Sequence, residues 1–374
     1  MALGLGHADA GGLLEAIEGL LPAAGCTHEA LPRDVMKVLL AGDVAHADHL
    51  QHVATLCGEP RQVIMQMSPG ERAAERWTAA SMLKFWTLLR VCGVVALEGL
   101  LSPEFLATVA QAQETPQFDL PEAERERAAG SARSFKGTDV ASRGGMRREV
   151  RLPMRPPFQD AKLTGGPMIR SAVKIMLGER VELDTFSCIT SAPGSMDQPW
   201  HNDVPTPTPG RCHAPPPGLV AVVPLVNVIP DNGATEFLAG SHVHVGSDRF
   251  WMDVGEESGG GATDAVPHLQ FSSAVGTLVF FDIRLRHRGR ANRGAVDRPV
   301  LYMSYVQEWF RDGINFQERQ TRGWGDLPSE TQRLFARLDA RAYILGLEAA
   351  LRDRGVDVEA LASGAERRRE HLEL

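Results

Sequence analysis

The sequence predicts a mainly β protein with flanking helices, an α+β arrangement whose strands pack as a sandwich or barrel. Two observations predict it. From Val181 onward, apolar residues recur at every second position in short runs separated by Gly, Pro and Asn turns. Spacing of three to four residues, the mark of helices, is concentrated towards the two ends of the chain.

The elements follow in order. Leu13, Leu14, Ile17, Leu20 and Leu21 predict a first helix, and a longer one spans Glu71 to Arg90 with Trp77, Met82 and Phe85. Val91 to Glu98 reads as a short strand, followed by a helix with Ser102 as N-cap and Pro103 at its first position. Residues 115–157 are polar, charged and punctuated by glycine, so they read mostly as loop. The arginine-rich part, 143–151, is a solvated segment or a basic patch. A helix is expected over Pro167 to Leu177. Strands are expected over Asp184 to Thr190, Leu219 to Val228, Gly276 to His287 and Pro299 to Phe310. Ser329 and Gln332 form a capping box for a C-terminal helix. The pattern divides the chain into a helical N-terminal extension (1–80), a β domain (81–312) and a C-terminal helical extension (313–374). The proline-rich stretch Pro205 to Pro217 and the glycine-rich stretch from Gly255 to Ala262 read as long loops, the first a cover for a site.

Charge and composition narrow the function. With 39 Lys+Arg against 47 Asp+Glu the net charge is −8, which argues against a nucleic-acid partner. No apolar run is long enough for a membrane helix, and the first residues lack a basic stretch leading into an apolar one, so a cytoplasmic location is expected. The cysteines, at 26, 57, 92, 188 and 212, are odd in number and form no C-x-x-C pair, so neither a disulfide framework nor a zinc ribbon is expected.

The sharpest feature is Trp200-His201-Asn202-Asp203. On an extended chain, residues two apart share a face, so His201 and Asp203 converge while Asn202 points away. One imidazole and one carboxylate are two of the three ligands of the facial triad that suits Fe(II) with open positions. The pattern alone is common, and a surface strand pair would also produce it. His7 with Asp9 and His46 with Asp48 repeat it in helical or terminal surroundings, where residues two apart do not face each other. Further on, Val279, Phe281, Ile283, Leu285 and His287 make an apolar strand face ending in an imidazole, either a core histidine or a third ligand. Asn292-Arg293-Gly294 signals a turn, and a hairpin centred there brings Arg298 back beside His287. A guanidinium in that place suits a bidentate grip on a carboxylate. Arg284, Arg286, Arg288 and Arg290 have the opposite parity and read as a solvated face.

Trp200 to Asp203, the stretch Asp231 to His242, Phe281-Asp282, His287-Arg288-Gly289 and Arg298 together resemble the phytanoyl-CoA dioxygenase family. The resemblance runs from roughly Trp86 to Phe310 and implies a double-stranded β-helix core of the jelly-roll, cupin-like kind. It implies an Fe(II)- and 2-oxoglutarate-dependent dioxygenase, with His201, Asp203 and His287 as metal ligands and Arg298 anchoring the distal carboxylate of 2-oxoglutarate. The implied reaction consumes O2, releases succinate and CO2, and oxidises a small-molecule or acyl substrate, most simply by hydroxylation. Asp203 supports oxidation over halogenation, since related halogenases carry a small residue there. The family's turn implies that His242 is a hydrogen-bonding residue rather than a ligand, and Ala239 stands where the family usually has Pro. A further basic contact to the cosubstrate is implied upstream, with Arg148 and Arg151 as candidates. Two alternatives stand beside this reading: a protein side-chain hydroxylase of the same fold, and a non-catalytic β-helix interaction protein. The complete ligand set and the arginine count against the second.

Overall fold

The computed structural model describes residues 53–113, 132–134, 140–152, 156–204, 216–243 and 266–310. The expected first helix, the C-terminal helix, the glycine-rich stretch and residues 205–215 of the proline-rich stretch lie outside them.

The strands are β1 (Ile64–Gln66), β2 (Val94–Glu98), β3 (Ala132–Ser134), β4 (Val140–Gly144), β5 (Arg147–Arg151) and β6 (Val181–Ser191). They continue with β7 (Gly218–Pro224), β8 (Thr235–Leu238), β9 (His268–Gln270), β10 (Leu278–Asp282), β11 (His287–Gly289) and β12 (Arg298–Gln307). One sheet has the order β1-β2-β10-β7-β12-β6-β5-β4-β3, and the smaller one β11-β8-β9. All pairings are antiparallel except β1 with β2. Phe237 of β8 meets Phe281 of β10, with ring centroids 5.4 Å apart, so the sheets pack face to face. This is the expected jelly roll, and among the described residues it does not close into a barrel.

The helices are α1 (Pro69–Ala74), α2 (Ala79–Cys92), α3 (Pro103–Gln113), α4 (Ala161–Thr164) and α5 (Pro167–Leu177). On β10, Phe280 meets Phe85 of α2 edge-on at 5.6 Å, while its neighbour Phe281 turns inward to Phe237. Both faces of this strand are therefore covered, and its sequence is apolar throughout rather than alternating. Val53, Val63, Met65 and Met67 join the same core, although they lie within the stretch read as an N-terminal extension.

Four expectations change. The helix predicted over Glu71 to Arg90 is broken: Glu75 takes a left-handed backbone (φ 46°), and Thr78 caps a new helix by accepting from the Ser81 N–H. The Glu71 carboxylate stabilises the break by accepting from Thr78 N at 2.9 Å and Ser68 Oγ at 2.8 Å. Residues 115–157, read mostly as loop, supply β3, β4 and β5. The strand expected to run through to His287 ends at Asp282, and His287 belongs to the other sheet. Cys57 and Cys92 form a disulfide, joining residues 35 apart in sequence that both sit in the core.

Candidate metal centre and cosubstrate pocket

Each site residue is placed by backbone pairing. His201 N donates to His287 O (3.1 Å) and His287 N to His201 O (2.8 Å), the mutual exchange of an antiparallel pair. The two rings consequently lie 4.4 Å apart. Asp203 N donates to Ile283 O at 3.1 Å, which brings its carboxylate to the same side, and Oδ1 lies 3.7 Å from His287 Nε2. Ligand atoms of His201, Asp203 and His287 all fall within 4.8 Å of one another.

The imidazoles are set up as ligands. Nδ1 of His201 lies 2.9 Å from Pro199 O, and Nδ1 of His287 lies 2.9 Å from Leu285 O. A proton donated from each Nδ1 leaves each Nε2 with a lone pair for a cation, and the carbonyls fix the ring orientation. Burial pushes His287 down to about 4 against the attraction of Asp203, so this ring is neutral at neutral pH. Two imidazoles and one carboxylate are a donor set that fits Fe(II) with positions left open.

The trio faces a cavity of about 520 Å³ between the sheets. Its far wall is the inner face of the large sheet, where the ladder register stacks side chains in rows. Arg298 stands opposite Ser191, and Ser191 opposite Arg147. Val300, Ile189 and Glu149 form the next row, and Tyr302 stands opposite Ser187 in the row after it. Arg298 is 5% exposed, and its Nη2 donates to Ser191 Oγ at 2.7 Å. Its Nε is buried without a partner. Burial, then the charge of Arg147, push this guanidinium down to about 10. A buried cation with unsatisfied donors is costly unless an anion joins it. The dicarboxylate 2-oxoglutarate would supply one.

The structure brings together all four residues singled out in the sequence, but by a different route for Arg298. β11 pairs with β8 rather than with β12, so no hairpin carries Arg298 back beside His287. It reaches the cavity from the opposite sheet, between β6 and β7. His242 stays apart from the trio: it is buried, its Nε2 lies 3.1 Å from Arg90 O, and burial pushes it down to about 3.

The arginines are also redistributed. Arg284 is buried, not solvated, and holds Asp282 through Nε at 2.9 Å and Nη2 at 2.7 Å. Arg288 lies over the Trp200 ring at 4.4 Å and binds Glu236. Upstream, neither Arg148 nor Arg151 lines the cavity; Arg147 does. Its Nη1 donates to Met196 O (2.6 Å) and its Nη2 to Gly289 O (3.2 Å) and Arg290 O (2.8 Å). Strand parity would have separated Arg147 from Arg148, but a segment read as loop has no parity to apply. Ser191 and Tyr302 were missed because nothing local marks one hydroxyl among many.

Solved structures similar to the chain include AviO1 from Streptomyces viridochromogenes Tue57, at 16% identity over 63% of this chain and 96% of that one, TM-score 0.44. HygX from Streptomyces hygroscopicus, solved with nickel and 2-oxoglutarate bound, matches at 15% identity over 63% of this chain and 89% of that one, TM-score 0.43. EctD from S. alaskensis, with bound Fe, matches at 16% over 62% and 77%, TM-score 0.43. The family model described as phytanoyl-CoA dioxygenase (PhyH) matches residues 89–300, more than half of the chain and the whole span from His201 to Arg298. The chain belongs to the phytanoyl-CoA dioxygenase family, and as a member of it is a 2-oxoglutarate-dependent oxidoreductase.

Proposed function

We propose that the protein is an Fe(II)- and 2-oxoglutarate-dependent dioxygenase that hydroxylates a small-molecule substrate, with release of succinate and CO2. In this reading His201, Asp203 and His287 hold the metal, and Arg298 with Ser191 grips the distal carboxylate of the cosubstrate. The observation that carries it is the opposition of two unlike halves across one cavity: a His-Asp-His cluster on one wall and a buried guanidinium with an unpartnered Nε on the other. Bound iron would couple O2 reduction and decarboxylation of the 2-oxo acid to oxidation of the substrate. The chain's own residues orient the reactants. Ser191 holds one edge of the Arg298 fork, and the 199 and 285 carbonyls hold the imidazole rings. Ile189, Val222, Phe281 and Val300 line the cavity with apolar surface that keeps water out. A cavity of about 520 Å³ lies in the range of small-molecule pockets, roughly 300–1,000 Å³. That favours a small substrate over a protein side chain presented on a loop. The test is succinate formation by purified protein given Fe(II), 2-oxoglutarate and O2, alone and with a metabolite panel. No succinate under any of these conditions would overturn the proposal.

A further inference from the structure

The two oxygens of Asp203 have different surroundings. Oδ1 lies 3.7 Å from His287 Nε2, within the candidate metal cluster. Oδ2 accepts a hydrogen bond from the Tyr302 hydroxyl at 3.1 Å. Tyr302 comes from the facing sheet. It sits in β12 between Ser187 of β6 and Val222 of β7, a strand paired on both sides. Its neighbours Leu301 and Met303 are fully buried in the core. The phenol is thus delivered across the cavity from a fixed frame, four residues along the same strand face from Arg298.

We propose that Tyr302 is a positioning residue that holds Asp203 as a one-oxygen metal ligand. This rests on the reading of His201, Asp203 and His287 as the ligand set. A carboxylate gripped through Oδ2 presents Oδ1 to the cation and is prevented from turning to offer both oxygens. The difference matters because a two-oxygen grip would fill four of six octahedral positions instead of three. Removing an outer hydrogen-bond partner of a metal ligand typically weakens metal binding by ~10–100-fold. The loss here should fall in that range.

The test is Co(II) titration of the full chain, followed by absorption, for wild type, Tyr302→Phe, Asp203→Ala and the double variant. Thermal unfolding of each is measured without metal. Tyr302→Phe should bind Co(II) about tenfold or more weakly with a shifted absorption spectrum and an unchanged metal-free melting temperature. In the Asp203→Ala background the same change should have no effect, because the oxygen it acts on is gone. If Tyr302→Phe matches wild type in affinity and spectrum while Asp203→Ala loses Co(II), the Tyr302 role is overturned and the ligand set stands. If Asp203→Ala binds Co(II) like wild type, the ligand set itself is wrong. An equal cost of Tyr302→Phe with and without Asp203 would overturn the positioning role in favour of a general structural one.

Discussion

Arg298 and Ser191 stand directly opposite each other in the β12–β6 ladder, and the guanidinium donates across to the hydroxyl at 2.7 Å. The serine fixes one edge of the fork, and the remaining donors have no protein partner among the described residues. Under the proposed function this fork receives the distal carboxylate of 2-oxoglutarate.

Arg298→Ala should therefore raise the 2-oxoglutarate concentration needed for turnover while leaving metal binding intact. Losing one member of a buried charge pair costs on the order of 3–5 kcal/mol, roughly a hundredfold or more in affinity. Arg298→Lys should recover little, because an ammonium does not reproduce two parallel hydrogen bonds. Succinate formation against 2-oxoglutarate concentration measures this. A variant with an unchanged half-saturation point would refute the assignment.

For the metal, His201→Ala, Asp203→Ala and His287→Ala should each fold and lose tight Fe(II) binding. His242→Ala is the contrasting case. This ring is buried against Arg90 O and away from the trio, so its loss should cost about 2 kcal/mol of stability through the space it leaves. Its metal affinity should match wild type in an equilibrium Fe(II) titration under argon. Loss of binding in His242→Ala with retention in His287→Ala would show that the third ligand is misassigned.

The convergence of His201 and Asp203 was legible because its information is local. Two-residue parity places His201 with Asp203, and the spacing from His287 to Arg298 repeats a family pattern. What was not legible depends on residues distant in sequence. The strand bearing Arg147 and Glu149 looks like a polar loop because these two charged side chains line the cavity, where an apolar core strand would carry apolar residues. Arg284 looks like a surface charge because its partner Asp282 is itself a polar residue at a strand end, and only the fold buries both. The Cys57–Cys92 disulfide depends on the first described residues reaching the end of α2, which spacing does not reveal. The expected hairpin found the right neighbour for the wrong reason: Arg298 faces the metal cluster across a cavity instead of alongside it in a ladder.

Glu236 ties the outer side of the small sheet together, accepting from Arg288 Nε at 2.8 Å, Arg290 Nη1 at 3.0 Å and His268 Nδ1 at 3.1 Å. Burial alone would raise its pKa, but the bonds from His268 and Arg288 and the charges of Arg288 and Arg290 outweigh it and hold the carboxyl down to about 2. A carboxyl held below its ordinary value stabilises the fold in full above that value and loses the contribution as pH falls through its folded value. Glu236→Gln should thus cost about 1 kcal/mol at neutral pH, the scale of an ion pair partly open to water. The difference from wild type should close between about pH 4.5 and about pH 2. Denaturant unfolding across that window measures it, and a gap that stays constant through it would show that the charge is not responsible. Arg288→Ala should also destabilise, since it removes both this partner and the stack on Trp200.

Arg147 hangs both histidine-bearing segments from β5. Its guanidinium holds Met196 O, five residues before His201, and the carbonyls of Gly289 and Arg290, just after His287. The same two segments are joined by Gln198, whose N–H donates to Gly289 O and whose Oε1 accepts from Gly289 N, both at 2.9 Å. A Cβ at Gly289 would lie 2.6 Å from that Oε1 and 3.3 Å from Arg147 Nε, so the Gln198 side chain would have to shift. Arg147→Met keeps much of the volume and removes all three charge-assisted hydrogen bonds, leaving Gly289 O with only its bond from Gln198 N. At roughly 1.5–3 kcal/mol for one hydrogen bond to a charged group, with incomplete additivity, a total on the order of 3 kcal/mol is expected. The consequence for the site should be separable from the loss of stability. At a temperature where the variant is fully folded, its Mn(II) affinity should fall because the spacing of His201 and His287 is no longer held from β5. Arg148→Ala, one residue on and outside the cavity lining, should leave Mn(II) affinity unchanged. Denaturant unfolding and Mn(II) titration of both variants decide the matter: an Arg147→Met protein as stable as wild type, or one that binds Mn(II) equally well, would remove the arginine from the framework of the site.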